Sequence, residues 1–249
     1  RIVNDGDTAI TIGTSGVVFV AANAYATSND GTVQAGAHAI PKTWQLMGVT
    51  QAAGLSLRWL RDTFSPKTSY LELVDEAQSA PAGSRGLLWL PYLQGERTPY
   101  LDADARAALV GLTTAHTRAD VVRAVLEGVA FSLCDALEAI QNTGASTRSF
   151  RLAGGGARSS LWCRVMASAI DTSVTVEPEG RGPAFGAALL GLVAGGEFDS
   201  VSQACEAMKI SADVVDPNPS WVPVMASALS RYRDLYPALL GTNREAAAA

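Results

Sequence analysis

The chain has 249 residues, 48% of them hydrophobic and 17% charged, with a formal net charge of −5. That is too apolar and too weakly charged for intrinsic disorder, and the acidic balance argues against a nucleic-acid partner, which calls for a basic field. No apolar run reaches about 18 residues, so no transmembrane helix is expected, and no basic segment followed by an apolar stretch opens the chain as a signal peptide would.

Thr8 to Ala22 holds two β-branched runs around Gly13-Thr14-Ser15-Gly16 and predicts a hairpin. Asn29-Asp30-Gly31 marks a second turn, and Trp44 to Val49 reads as a strand. Thr50 to Phe64 has helical spacing, with Leu55, Trp59 and Leu60 on one side. Tyr70 to Gln78 predicts a helix that stops before Pro81-Ala82-Gly83. Gly86 to Pro91 is a short continuous apolar run of the kind that forms a buried strand. The stretch Tyr92 to Thr117 then reads as a loop, longer than the roughly 12–15 residues a compact domain leaves irregular, and loops of that length are often functional.

Thr117 and Asp120 form a capping-box-like start for a helix to about Gln141, with Val122, Val125, Leu126, Val129, Leu133 and Leu137 along one stripe. Strand and helix alternate after that. Phe150 to Ala153 is a strand, Gly154-Gly155-Gly156 a turn and Arg158 to Ile170 a helix. Val174 to Glu177 is a strand, and Gly182-Pro183 opens a helix through Ala194. That alternation predicts parallel pairing in one α/β domain. Ser220 to Leu240 is a last helix, and Arg244 to Ala249 reads as a frayed, disordered tail.

Three segments carry candidate chemistry. Gly13-Thr14-Ser15-Gly16 can bring backbone N–H groups and hydroxyls to a phosphate, or it is simply a tight turn in which Gly relieves the backbone. No Gly-Lys-Ser/Thr follows, so it is not a Walker A loop. Gly154-Gly155-Gly156-Ala157-Arg158-Ser159-Ser160 lies between strand and helix, where α/β sheets place ligands. Absent side chains would admit a flat base, and a helix N-terminus favours anions; close strand–helix packing is the plainer alternative. In Pro91 to Pro99, Gly95 could approach a phosphate, while Glu96 and Arg97 contact either a ligand or each other.

Other residues read more plainly. Cys134, Cys163 and Cys205 are widely spaced and odd in number, as buried free thiols of a reducing cytoplasm are. His38 and His116 have no metal-ligand spacing around them. Arg123 and Glu127, one turn apart, read as an ordinary side-chain pair, and the tryptophans as packing residues.

Taken in order, ITIGTSGVVF, LPYLQGERTP, GLTTAHTRADVVRAVLEGVAFSL and LAGGGARSSLW resemble blocks of the C-terminal half of the FGGY family of carbohydrate kinases, over about Thr8 to Tyr236. HAIPKTWQLMGVTQAAGLSLRWL resembles the xylulokinase branch, while the GTSG, GER and GGxARS blocks are shared with gluconokinase-like members. The resemblance implies an actin-like, ribonuclease-H-like ATPase fold, a mixed sheet flanked by helices, spanning residues 1–243. It implies ATP and Mg²⁺ as cofactors and a sugar as substrate. Gly13 and Thr14 would face the phosphates, and Gly95 would approach the nucleotide from the long loop. Gly155, Gly156 and Ala157 would pack on adenine or ribose, and Ser160 would supply a polar nucleotide contact.

The family's catalytic Asp sits in a GDN-type motif just upstream of the first strand, and Asp5 and Asp7 align with the loop before the hairpin instead. Since the chain starts at Arg1 without a Met, the expectation is a domain of a longer protein, with the catalytic Asp and an N-terminal sugar-binding domain outside these residues. The face toward that domain is partly apolar in the family, so an isolated chain is expected to self-associate, as a homodimer for instance.

Overall fold

The computed structural model describes residues 2–176, 182–209 and 211–248, with side chains through 242. The hairpin forms as expected: β1 (Asp7–Ile12) and β2 (Gly16–Ala22) pair antiparallel, Ile12 opposite Gly16. The predicted third strand is β4 (Trp44–Thr50), antiparallel to β2 with Thr50 opposite Gly16. A short β3 (Gln34–Ala37), which the sequence did not announce, pairs along the outer edge of β4. Its Gln-Ala-Gly-Ala run has neither β-branched residues nor alternation, so only the partner strand makes it one.

The parallel pairing expected from the alternating segments is present at the centre. Here β7 (Arg148–Ala153) runs parallel to β1, and β8 (Val174–Val176) parallel to β7. Glu177, the expected end of β8, lies outside the described residues. A final β9 (Asp213–Val215) adds antiparallel to β8, completing the order β3-β4-β2-β1-β7-β8-β9. With β1 enclosed between two neighbours, Ile10 and Ile12 are fully buried, as are Val18 and Val20 of β2.

Helix α1 (Gly54–Phe64) starts later than its apolar spacing suggested, and buries Ser56, Leu57 and Leu60 rather than Leu55. Helix α2 (Tyr70–Ala77) is closed by a Ser69–Glu72 capping box. The apolar run at 86–91 yields β5 (Leu88–Leu90). It pairs with β6 (Ala108–Val110), a strand inside the stretch expected to be all loop. A cis peptide joins Thr98 and Pro99 in the same stretch.

Helix α3 (Arg118–Gln141) begins as expected, the Asp120 carboxylate accepting from the Thr117 N–H (2.9 Å) and Oγ (2.8 Å). Its burial is not a single stripe, for the helix is enclosed nearly all round. Gly128 lies against the backbone of Trp89 in β5, and Gly48 of β4 against Ala136. A helix wedged between a sheet and a second strand pair has no solvent face to keep polar. The core therefore centres on α3, between β2 and β4 on one side and β5 on the other.

Helix α4 (Ser160–Ala169) follows a single 3-10 turn over Gly155–Arg158. Helix α5 (Pro183–Ala194) opens on the predicted proline, and a further helix, α6 (Val201–Ala207), packs with it around Leu189, Ala204 and Cys205. Helix α7 spans Val222–Ala248, so its backbone is helical into the stretch expected to fray. No helix among the described residues is long and apolar enough to cross a membrane.

Candidate functional site

Because β1 and β7 run parallel, Gly13 and Gly154, which follow their last residues, come out at the same edge of the sheet. There the two glycine turns meet. Gly154 has φ +87°, and a Cβ on it would stand 2.6 Å from the Ile12 carbonyl oxygen, so only glycine fits. A Cβ on Gly156 would stand 2.7 Å from Ile12 Cβ and 3.1 Å from the Trp162 ring. Part of this run is therefore glycine for close packing, as the plainer reading held. Gly155 differs: it is exposed, and a Cβ there would meet nothing within 4 Å.

The first turn is tied from behind. The Gly13 carbonyl accepts from the Gly54 N–H (2.7 Å), and the Thr14 carbonyl accepts from Ala53 N–H (3.0 Å) and Leu55 N–H (3.1 Å). The opening amides of α1, which a helix otherwise leaves unsatisfied, are used on these carbonyls. A Cβ on Gly54 would stand 2.6 Å from the Gly13 oxygen. Thr14 itself is exposed. In the second turn, Ser159 caps α4 by accepting from the Trp162 N–H (3.1 Å), which leaves Ser160 exposed on the first turn of that helix. Ala157 is half-buried between them, its N–H donating to the Gly154 carbonyl (3.2 Å).

Gly13, Thr14, Gly155, Gly156, Ala157 and Ser160 thus lie along the two adjoining turns. Gly95 does not sit on either turn. It is buried with φ +74°, and its close neighbours are Asp102 and Ala103, 2.8–2.9 Å from where a Cβ would be, so its glycine is explained by the loop folding back on itself. That fold-back is locked by paired backbone bonds between Glu96 and Asp102 (2.8 and 2.9 Å).

Glu96 is the residue sequence reasoning placed least well. It makes no side-chain pair with Arg97, whose guanidinium sits against the Gln34 side-chain amide of β3. The Glu96 carboxylate is 3% exposed and accepts from Thr50 Oγ (2.6 Å), Gln51 N–H (3.1 Å) and Arg97 N–H (2.7 Å). Burial pushes its pKa up to about 7 against these three donors, which favour the ionised form. An acid flanked by Gly and Arg in a polar loop looks solvent-facing in sequence; two of the three donors that receive it, Thr50 and Gln51, are 46 and 45 residues away in the chain.

The remaining sequence readings sort plainly. Arg123 and Glu127 pair at 2.7 Å, both buried, as an ordinary i,i+4 pair would, and Glu127 also takes Gly83 N–H (3.0 Å) and Ser84 Oγ (2.9 Å). Cys134, Cys163 and Cys205 are free and buried. Among the described residues no group of three or more His, Cys, Asp or Glu is gathered as a metal site would be.

Residues 8–195 match the C-terminal domain of the FGGY family of carbohydrate kinases. The chain is 37% identical to a xylulose kinase of Staphylococcus epidermidis over 217 residues, 87% of this chain and 44% of that protein. It is 32% identical to a gluconokinase of Bacillus subtilis over 254 aligned residues, 97% of this chain and 48% of that protein. Among solved structures, a xylulose kinase from Lactobacillus acidophilus superposes with a TM-score of 0.88 at 28% identity, over 98% of this chain and 49% of that one. The chain thus spans about half the length of the relatives it matches. Its mixed sheet with flanking helices is the actin-like ATPase arrangement of these sugar kinases. By its ordered sequence blocks, its fold and this match across most of its length, the chain belongs to the FGGY family of carbohydrate kinases, as a C-terminal domain of that family.

Proposed function

We propose that this chain is the nucleotide-binding half of a xylulose kinase, which transfers the γ-phosphate of ATP to the 5-hydroxyl of D-xylulose. The observation that carries the reading is the junction of two glycine turns at the carboxyl ends of parallel β1 and β7, where α/β sheets take their ligands. Gly13 and Thr14 serve the phosphates with backbone and hydroxyl donors. Gly155, Gly156 and Ala157 form the floor under adenine or ribose, Ser160 supplies a polar contact, and Gly95 approaches the nucleotide from the long loop. ATP, when bound, supplies the phosphoryl group. Mg²⁺, when bound, accompanies the phosphates and draws its ligands largely from them.

The carboxylate that accepts the sugar hydroxyl's proton is proposed to come from sequence upstream of the hairpin, and the sugar contacts from an N-terminal domain, both in a cytoplasmic protein. By itself the chain then binds ADP or ATP weakly and turns over little sugar. Self-association of the isolated chain is supported by α5, a helix without charged residues of which only Leu189 is buried.

Calorimetry with ADP tests the nucleotide site. Gly155→Asp is the better probe, because Gly156→Asp would also collide with Ile12. Wild type is expected to bind and Gly155→Asp to lose at least tenfold; equal affinity overturns the adenine-floor assignment. A second reading, gluconate as the substrate, is favoured by the similarity to the gluconokinase. A sugar panel on the chain joined to a family N-terminal domain separates the two, since phosphorylation of gluconate but not xylulose rejects the first. A non-catalytic nucleotide-binding module is the outcome if neither sugar reacts while ADP still binds.

A further inference from the structure

Among the described residues the Thr14 and Ser15 hydroxyls make no hydrogen bond that holds the Gly13–Gly16 turn, while both of its first two carbonyls are fixed by the N-terminus of α1. That N-terminus in turn lacks a cap of its own: Ala53 offers no side-chain acceptor. What sets the junction between β4 and α1 is the loop segment Glu96-Arg97-Thr98. Thr98 N–H donates to the Val49 carbonyl (2.9 Å), and Val49 N–H donates back to Thr98 Oγ (3.0 Å). Thr98 Oγ also donates to the Thr32 carbonyl (2.8 Å). One step further along, the Glu96 carboxylate takes Thr50 Oγ–H and Gln51 N–H together. The methyl of Thr50 faces Gly16, leaving no room for a Cβ there (2.5 Å).

The path is therefore short and continuous. It runs from Glu96 to Thr50 and Gln51, through Ala53–Leu55, to the carbonyls of Gly13 and Thr14. We propose that Glu96 is a positioning residue that fixes the Gly13–Gly16 turn by clamping the β4–α1 junction. Its consequence for ligand affinity rests on the nucleotide reading above; its geometry does not. The chemistry asks for a buried side chain with one oxygen accepting two backbone N–H groups and a second atom hydrogen-bonded to a hydroxyl. Glutamine meets those demands, its oxygen taking Gln51 and Arg97 and its amide donating to Thr50 Oγ. Alanine meets none, and aspartate is one methylene too short to span the same gap.

The test compares Glu96→Ala, Glu96→Asp and Glu96→Gln with Glu127→Gln, a change at an equally buried carboxylate that braces Gly83 and Ser84 instead. Two readouts are taken on the full 249-residue chain: amide hydrogen exchange without ligand, and calorimetry with ADP. Glu96→Ala and Glu96→Asp are expected to speed exchange at Gly54 and Leu55 at least tenfold relative to Leu46 of β4, and to weaken ADP at least tenfold. Glu96→Gln is expected to stay within threefold of wild type on both, and Glu127→Gln, which removes the carboxylate partner of Arg123, to speed Gly54, Leu55 and Leu46 alike so that their ratio, and ADP affinity, stay unchanged. Unaltered exchange at Gly54 and Leu55 in Glu96→Ala overturns the clamp whatever ADP does. The same selective loosening of Gly54 and Leu55 relative to Leu46 in Glu127→Gln overturns it too, by showing that the junction answers to any buried carboxylate. If wild type itself fails to bind ADP, the nucleotide reading falls while the exchange data still decide the clamp.

Discussion

Gly154 is seated on Ile12: the backbone of one turn touches the last residue of the neighbouring strand so closely that a Cβ would stand 2.6 Å from the Ile12 carbonyl oxygen. The pairing of β1 with β7 ends in this contact, and it makes one surface out of two turns 140 residues apart. Changes at the junction should accordingly separate into those that disturb packing and those that alter only the surface.

Gly156→Ala should destabilise the domain. Its Cβ would enter the space of Ile12 and the Trp162 ring, and overpacking of this kind costs about 1–3 kcal/mol. Gly155→Ala should change stability by less than about 0.5 kcal/mol, the ordinary range for surface substitutions. Urea unfolding of the two variants checks the contrast; equal losses would show that the turn is held differently.

Gly54→Ala brings a methyl to 2.6 Å from the Gly13 oxygen. Alanine normally favours a helix by up to about 1 kcal/mol over glycine. Here the sign should reverse, because the helix cannot accept the methyl without moving the turn. Thermal unfolding should show a lower midpoint, and a rise would place α1 further from the turn.

The buried pair of Arg123 and Glu127 should be sensitive to loss of one partner. Glu127→Ala leaves the guanidinium, 1% exposed, with no carboxylate, and stranded buried charges cost about 3–5 kcal/mol. The Arg123 guanidinium also lies 4.2 Å above the Trp221 ring, which only partly compensates. Chemical denaturation measures the loss. A cost below about 1 kcal/mol would place the pair with surface ion pairs.

Stability should peak on the acidic side of neutrality. Burial raises Glu96 to about 7 and Asp135 to about 6, above ordinary values of 4.5 and 3.8. The folded state then holds protons that the unfolded state has released. The stabilisation is complete below the unfolded pKa values and is lost as pH rises through 6 and 7, at up to about 1.4 kcal/mol per unit for each group. At the other end, Thr32 and Ser28 hydrogen bonds hold Asp30 down at about 2, and Arg118 lowers Glu76. Those contributions exist above the ordinary carboxylate values and vanish as pH falls through the lowered ones. A midpoint maximum at about pH 4 to 4.5, close to the ordinary carboxylate values, with a shallower alkaline decline in Glu96→Gln, is the expected profile. A flat profile from pH 5 to 8 would contradict it.

The three thiols should be inert in the native state. Burial raises Cys134 strongly and pushes Cys163 up to about 11, and Cys205 is buried as well. Since the thiolate is the reactive form, a thiol reagent at pH 8 should titrate none within minutes and all three after unfolding. Fast reaction of one thiol would mark a locally open segment.

Much of this was readable from the chain alone. Hairpin, capping box and glycine turns are local: Thr117 and Asp120 are three residues apart, and Gly13 to Gly16 adjoin the strands they join. Short-range sterics and hydrogen bonding suffice for these, and the family blocks lie on the same segments. What could not be read depended on partners distant in sequence. Gln34–Ala37 is a strand only because β4 offers an edge, and α3 is buried nearly all round only because β5 lies against its other side. Glu96 could be read as a loop acid and no further, since Thr50 and Gln51, which receive it, are brought to it by folding. The sequence determined which turns could carry a ligand. Only the tertiary structure decided that β1 and β7 lie side by side, because parallel pairing joins segments that no local interaction connects.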